Sequence, residues 1–361
     1  MTSETSLAPS RRDIPADVLK CICCICVVVI HSSSRPITEL SVHSFDWYCA
    51  LFYGSLCRFA VPIFFMVTGA LLMDPAKKMS LKKIYLNYFL RMLGCLLFWS
   101  LMYEFYFLIA FVILYGTYTP NWLGQSLAKV LSFDHHFHLY YLQILLLFYA
   151  LLPVVRAFIA GADRKTLRYA LIVWFILGVC FPFMRLFEPF ASLDGIPAQY
   201  PIQMAYSSLG YGLLGYYIKT AKLEQRHKKY FIITFIAGFL AIYAPTIIVS
   251  HIQGSCFNAL FESFTPPTTA LVVGIYGWAI LKFRDKTEAD CPRIVKFSKM
   301  SFCVYLTHHF FVMFLREIFK WNYYCWFPLV NVPLQTCFVL ACCTVTYVIL
   351  KRIPWVNRVL I

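Results

Sequence analysis

Charged residues are scarce in this sequence, and acidic residues are the scarcest among them. Only 14% of the 361 residues are charged, whereas 60% are hydrophobic. A soluble domain of this length carries about a quarter charged residues. The shortage excludes a soluble globular protein and predicts an all-α, polytopic membrane protein.

Long polar stretches are missing as well, which excludes a separate soluble domain. Ten apolar runs follow one another instead, each predicting a membrane-spanning helix, at residues 18–34, 45–73, 84–114, 138–157, 168–186, 201–218, 230–250, 263–281, 297–315 and 327–350. We therefore expect a cytoplasmic N-terminal segment (1–17), a membrane domain (18–350) and a cytoplasmic tail (351–361). No internal repeat is visible, which argues against the inverted-repeat plan of many transporters.

Basic residues are nearly absent from one side of this predicted arrangement. Segments on the side of the N-terminus carry 25 Lys and Arg residues, and segments on the opposite side carry five. This asymmetry predicts that both termini are cytoplasmic. It also accounts for the net charge of +15, so we expect no nucleic-acid partner. No small-x-small cleavage site follows the first run, which we expect to be retained as a helix.

Metal-binding and disulfide signatures are also lacking. His135, His136 and His138 lie close together, but no acidic residue or cysteine follows at a suitable local spacing. The 15 cysteines lie mostly within the apolar runs, where they act as small packing residues. We predict neither a metal site nor a disulfide framework.

Two ionisable residues occur in the first apolar run. Lys20 and His31 are eleven residues apart, which places them on one helix face and about 16 Å apart along the axis. A neutral buried imidazole can accept a proton from an alcohol nucleophile, or it can be a structural group bonded to Ser32–Ser34. Lys20 either contacts a ligand or extends to the lipid headgroups, and Asp17 could pair with it or cap the helix.

Two arginines lie well inside later runs and away from their ends. Arg58 is near the middle of the second run, too deep to reach the headgroups, so it must face the bundle and meet a partner or a ligand. Arg91 lies about two turns into the third run, close to the basic stretch 77–83. Cations there suit a phosphate-bearing ligand. Alternatively, Arg91 is one of the basic residues that mark the cytoplasmic side of the membrane, and it binds anionic lipid.

Further polar groups collect toward the outer side. Ser301, Tyr305 and His308 are spaced four and three residues apart, so they share one helix face. The direction of that run places His308 past its midpoint, and His138 opens the fourth run on the same side. Cations inside and titratable groups farther out suit a reaction between a cytoplasmic phosphorylated donor and an acceptor that approaches from outside.

Four motifs occur in order along these runs, and together they resemble acyltransferase family 3, the integral membrane O-acyltransferases. They are Asp17-Val18-Leu19-Lys20 with His31, Arg58 through Pro62 to Thr68-Gly69-Ala70-Leu71, His138 through Leu142 to Leu152-Pro153, and Ser301 through Tyr305 to His308. The resemblance extends from about residue 13 through the last run. Thr68 replaces a Ser of the family pattern, Tyr140 replaces a Trp, and Tyr88 stands where many members have the first arginine of Arg-x-x-Arg.

The resemblance implies transfer of an acyl group, usually acetyl from acetyl-CoA, to a hydroxyl of a surface glycan or lipid-linked glycan. His31 would be the general base, and Arg58 would take part in catalysis. The residues expected to bind donor or acceptor are Lys20, Arg91, Thr68, His138, Tyr305 and His308. No permanently bound cofactor is implied; the partners are acyl-CoA, the glycan and membrane lipids, and the location is the bacterial inner membrane. The alternatives are a transporter or exporter of a glycan or small metabolite, and a non-enzymatic component of a glycan assembly complex.

Overall fold

The computed structural model describes residues 12–116, 120–321 and 325–361, and all regular secondary structure in these ranges is helical. The fifteen α-helices in these ranges are α1 (Ile14–Glu39), α2 (Phe45–Leu56), α3 (Ala60–Leu72), α4 (Leu81–Ile84), α5 (Leu90–Tyr115), α6 (Trp122–Leu131), α7 (Tyr140–Gly161), α8 (Arg164–Phe175), α9 (Phe181–Met184), α10 (Met204–Lys219), α11 (Lys228–Gln253), α12 (Pro266–Phe283), α13 (Pro292–Glu317), α14 (Pro328–Leu350) and α15 (Pro354–Val359). The predicted all-α class is confirmed.

Within the described residues, eight helical segments are long and apolar enough to cross a membrane, which confirms the polytopic membrane class. They are Ile14–Glu39, Phe45–Leu72, Leu81–Leu114, Phe137–Gly161, Arg164–Met184, Gln225–Gln253, Ala259–Phe283 and Pro328–Leu350. The other two predicted runs are also helical but lie outside this set. The helix α10 has only 16 residues, and α13 begins with the basic residues Arg293, Lys296 and Lys299, which lower its hydropathy.

The second predicted span is broken in the middle, where the sequence predicted one continuous helix. Cys57–Phe59 form a turn between α2 and α3, and Arg58 lies in this turn. The cause is Pro62, which cannot donate a hydrogen bond to the Arg58 carbonyl and whose ring crowds that group. The break therefore places Arg58 at a helix junction inside the bundle.

The helix α1 lies at the centre of the bundle and contacts α2, α3, α12, α13 and α14. Asp13 caps its start by accepting a hydrogen bond from the Ala16 backbone N–H at 3.0 Å. Asp17 does not cap the helix: its buried carboxylate accepts hydrogen bonds from Arg12 Nε at 2.5 Å and Ser298 Oγ at 2.6 Å. The predicted pairing with Lys20 is present at a longer distance of 3.9 Å.

Glycines allow α3 and α10 to touch through their backbones. A Cβ atom on Gly69 would lie 2.2 Å from the Gly212 carbonyl oxygen, and one on Gly215 would lie 2.2 Å from the Met66 carbonyl oxygen. Small residues permit such close approach between helices in a membrane, where dispersion forces drive association. This contact fixes the position of α3, which carries Thr68 next to Gly69.

Candidate active site

The imidazole of His31 lies on α1 among three other aromatic rings. The distances between ring centroids are 5.7 Å to Phe137, 5.0 Å to His308 and 5.1 Å to His309. None of the expected serine partners bonds the ring: Ser33 and Ser34 donate to the backbone carbonyls of Ile30 and His31. Ser32 Oγ is buried without a partner in the described structure. Within the described parts of the chain, neither ring nitrogen of His31 has a hydrogen-bond partner, so both remain free for a ligand.

Two cavities meet at His31. The first, the Arg58 cavity, has a volume of about 430 Å³ and is lined by His31, Arg58 and Glu262, among others. The second, the Arg316 cavity, has a volume of about 400 Å³ and is lined by His31, Arg316 and Trp321, among others. His31 is therefore accessible from two sides.

The guanidinium of Arg58 is held by backbone and aromatic groups. Its Nε donates to the Gly54 carbonyl oxygen at 3.1 Å, and a terminal nitrogen donates to the Phe261 carbonyl oxygen at 3.5 Å. The guanidinium carbon also lies 4.1 Å from the centroid of the Phe261 ring. No ion pair to Arg58 occurs among the residues placed in the structure. A guanidinium has five N–H donors, so donors remain for a ligand in the Arg58 cavity.

A third cavity, the Lys20 cavity, continues this space toward the start of α1. It has a volume of about 250 Å³ and is lined by residues that include Lys20, Thr68 and Tyr305. It shares Phe64, Tyr141 and Tyr305 with the Arg58 cavity. The two cavities thus lie end to end along α1, with Lys20 lining one and His31 lining the other.

Two predicted binding residues have fixed hydroxyl groups. Thr68 Oγ1 donates to the Phe64 carbonyl oxygen at 2.8 Å, as hydroxyl side chains often do within helices. The hydroxyl of Tyr305 donates to the His138 carbonyl oxygen at 2.6 Å. The second bond ties α13 to the start of α7, so Tyr305 is well placed to hold the wall between the two cavities.

Five of the nine histidines form one cluster, which lies beside both cavities that meet at His31. Neighbouring ring centroids are 4.7 Å apart for His136 and His309 and 5.5 Å apart for His138 and His308. His31 completes the cluster. In the described ranges, no group of three or more His, Cys, Asp or Glu side chains has the geometry to hold a metal ion.

Hydrogen bonds fix the orientation of three rings in the cluster. His308 Nδ1 lies 2.7 Å from the Tyr305 carbonyl oxygen, which can only accept, so Nδ1 carries the proton. The Nδ1 atoms of His136 and His138 are 2.7 Å apart. The Nε2 atoms of His138 and His308 are buried without a partner in the described structure. Burial, together with the charge of Arg316, lowers the pKa of His136 to about 4.

The structure does not bring Arg91 to the other predicted site residues. Its guanidinium donates to the carbonyl oxygens of Val359 at 3.1 Å and Ile361 at 2.8 Å. Trp99, two turns along the same helix, donates to the Leu360 carbonyl oxygen at 3.2 Å. Met92, next to Arg91 in the sequence, lines the Lys20 cavity, whereas Arg91 itself does not. A role for Arg91 in donor binding stays a prediction.

Three residues at the site were not predicted from the sequence. They are His309 in the histidine cluster, Phe261 against Arg58, and Arg316 in the cavity named after it. His309 directly follows the predicted His308, and this His-His pair was the available signal. Nothing in the local sequence marks Phe261, because its role depends on a contact with a distant helix junction.

Comparison with known proteins identifies the family. The sequence model of acyltransferase family 3, described as an acyltransferase domain, matches residues 16–350. No curated protein and no solved structure matches the chain. The match covers most of the sequence, including His31, Arg58 and the three cavities. The chain therefore belongs to acyltransferase family 3, and it is a membrane acyltransferase.

Proposed function

We propose that the protein transfers an acyl group, usually acetyl, from acyl-CoA to a hydroxyl of a cell-surface or lipid-linked glycan, with His31 as general base. One observation carries this proposal. The imidazole of His31 has no hydrogen-bond partner among the described residues and faces two cavities, one of which continues along α1 to Lys20. A base between two substrate spaces is what direct transfer between two bound molecules requires.

The donor enters from the cytoplasmic side in this proposal. With both termini in the cytoplasm, as the distribution of basic residues predicts, Lys20 lies near the inner membrane surface. The phosphates of CoA stay there beside Lys20, and the extended thioester arm passes Thr68 and Tyr305 through the Lys20 cavity into the Arg58 cavity. The two cavities are adjacent, because Phe64, Tyr141 and Tyr305 line both of them, and this adjacency supports such a path.

The chemistry follows from the groups that face the thioester. The neutral imidazole of His31 takes the proton of the acceptor hydroxyl while the hydroxyl oxygen attacks the thioester carbonyl carbon. The free N–H donors of Arg58 stabilise the negative charge that develops on the carbonyl oxygen. The carbon–sulfur bond then breaks, and the proton passes from His31 to the departing CoA sulfur. No covalent acyl-enzyme is needed.

Membrane vesicles that carry the full chain test the proposal. Radiolabelled acetyl-CoA is supplied at the cytoplasmic face together with candidate glycans, and the label should be recovered on a glycan hydroxyl. Arg58→Gln should lower the rate by about 100-fold, the usual effect of removing an oxyanion donor. Arg168→Gln is the matched control, since this exposed arginine on α8 lies outside the three cavities.

The alternative function predicts a different result. A bacterial inner-membrane transporter or exporter would share the helices and the intramembrane charges but would not depend on acyl-CoA. Movement of a glycan or small solute across the vesicle membrane, with no label on any acceptor, would overturn the acyltransferase proposal for this site.

A further inference from the structure

We infer that the Arg316 cavity binds the acceptor and selects saccharides that carry a carboxylate or a phosphate group. This inference rests on the proposed function, because it assigns one of the two cavities at His31 to the acceptor.

The charged lining distinguishes the two cavities at His31. The Arg58 cavity is lined by one cation and one acid, Arg58 and Glu262. The charged residues that line the Arg316 cavity are Arg35 and Arg316, with no acid among the described lining residues. Both arginines pair through Nε with an acid, Arg35 with Glu39 at 3.5 Å and Arg316 with Glu317, and neither acid lines the cavity. Guanidinium groups that line a cavity favour a ligand with a negative group, which arginine binds through paired hydrogen bonds.

Arg316 remains available to a ligand despite its neighbour Glu317. The ion pair uses only Nε of Arg316, which lies 2.6 Å from the Glu317 carboxylate. Its two terminal nitrogens donate to no residue that the structure describes. Glu317 itself does not line the cavity. The terminal nitrogens are the edge that carboxylates and phosphates engage in bidentate pairs.

Flat side chains complete a surface suited to a sugar ring. The indole nitrogen of Trp321 donates to Asn331 Oδ1 at 2.7 Å, which holds the ring in place. Gln335 Nε2 donates to the Trp321 carbonyl oxygen at 3.2 Å, so its amide oxygen can accept from a ligand hydroxyl. Phe107 and Phe137 also line the cavity. Rigid aromatic surfaces with a few polar groups are typical of small-molecule sites.

The position of the cavity matches an acceptor that arrives from the side opposite the donor. Arg316 lies at the C-terminal end of α13, whereas Ser298 and Ser301, near the other end of this helix, line the Lys20 cavity. His31 belongs to the walls of both the Arg316 and Arg58 cavities. A hydroxyl in the Arg316 cavity can therefore reach His31 while the thioester occupies the Arg58 cavity.

Binding of matched saccharides to the purified full-length protein tests the inference. The probes are methyl glucoside, methyl glucuronide and glucose 6-phosphate, and the readouts are calorimetric affinity and transfer of label from acetyl-CoA. The two anionic probes should bind at least about tenfold more tightly than the neutral one, a difference of about 1.4 kcal/mol. Comparing the affinities of methyl glucuronide and glucose 6-phosphate shows whether the cavity prefers a carboxylate or a phosphate.

Substitutions of the two arginines test whether the preference for anionic saccharides comes from this cavity. Arg316→Gln should reduce anionic binding about tenfold and leave neutral binding unchanged, and Arg35→Gln provides a second test if Arg316→Gln does not fold. Lys129→Gln is the control, because Lys129 pairs with Glu104 at 3.6 Å and is half exposed without lining the cavity.

The outcomes separate this inference from the proposed function. Equal binding of neutral and anionic saccharides, no binding of any probe, or an anion preference that survives both arginine substitutions would overturn the inference. Equal transfer of label to neutral and anionic acceptors would overturn it while supporting the acyltransferase proposal. An anion preference in binding with no transfer to any acceptor would support the cavity assignment and count against the proposed reaction.

Discussion

Replacing Gly69 with alanine should force α3 away from α10. The added Cβ would lie 2.2 Å from the Gly212 carbonyl oxygen, whereas heavy atoms in contact lie about 3.5 Å apart, so the helices must separate by about 1 Å. Alanine gains about 1 kcal/mol of helix propensity over glycine. Overpacking of a buried contact costs about 1–3 kcal/mol. The net change is a loss of about 1 kcal/mol in the free energy of unfolding.

The effect on activity should be larger than the effect on stability. Thr68 is adjacent to Gly69 and lines the Lys20 cavity, so α3 would carry this wall with it. A displacement of about 1 Å in a residue that positions substrate can lower a rate by about 100-fold. We therefore expect Gly69→Ala to reduce acyl transfer by about 10- to 100-fold.

Thermal unfolding with a thiol-reactive dye and acyl transfer in vesicles measure the two effects. The dye suits this protein because the cysteines of the described residues form no disulfide, and buried ones such as Cys23 become reactive on unfolding. Gly94→Ala is the control, since a Cβ atom there meets no other heavy atom within 4 Å. If Gly69→Ala and Gly94→Ala have the same melting temperature and the same transfer rate, the reasoning about the α3–α10 contact is refuted.

Three further predictions concern the ends of the bundle. Arg91→Gln should release residues 359–361 from α5 and lower stability by about 2 kcal/mol, the usual value for hydrogen bonds from a charged donor; unchanged hydrogen exchange in this segment would contradict it. Asp17→Asn should weaken the hydrogen bonds that this residue accepts from Ser298 and Arg12 and lower the free energy of unfolding by about 2 kcal/mol. An unchanged melting temperature would argue against this contribution. The pKa of His136 falls from 6.5 to about 4 on folding, so the unfolded chain binds its proton first and stability should decline as the pH falls from about 6.5 to 4. His136→Gln should flatten this decline, and an unaltered pH profile would contradict the assignment.

The helices could largely be predicted from the sequence, because apolar runs leave few other structures possible in lipid. The cap of α1 could not, since Asp13 and not Asp17 occupies it. The break at Cys57–Phe59 was not predicted, although Pro62 was visible. A proline in an apolar run either bends a helix or breaks it, and the surrounding helices decide which. For Arg58 this difference matters, since the break turns a mid-helix residue into one at a junction.

The geometry of the candidate site could be predicted from the sequence only for residues that lie on the same helix. Lys20 and His31 share α1, and their common face follows from helical geometry. The histidine cluster joins His136 and His309 from distant parts of the chain, a contact that helical periodicity does not specify. The contacts of Arg91 with residues 359 and 361 are likewise set by tertiary packing. The family motifs pointed to His308 and Tyr305 without showing what their side chains touch.

Acyl transfer by a His31→Gln variant tests the central claim most directly. The wild-type chain, His31→Gln and His43→Gln are compared in vesicles with labelled acetyl-CoA and a glycan acceptor. His43 is exposed, its ring centroid lies 4.6 Å from that of His251, and it lies outside the three cavities, so its variant should retain wild-type activity. The account predicts that His31→Gln lowers the transfer rate by about 100-fold or more, as expected for loss of a general base. Transfer by His31→Gln at the rate of His43→Gln would contradict it.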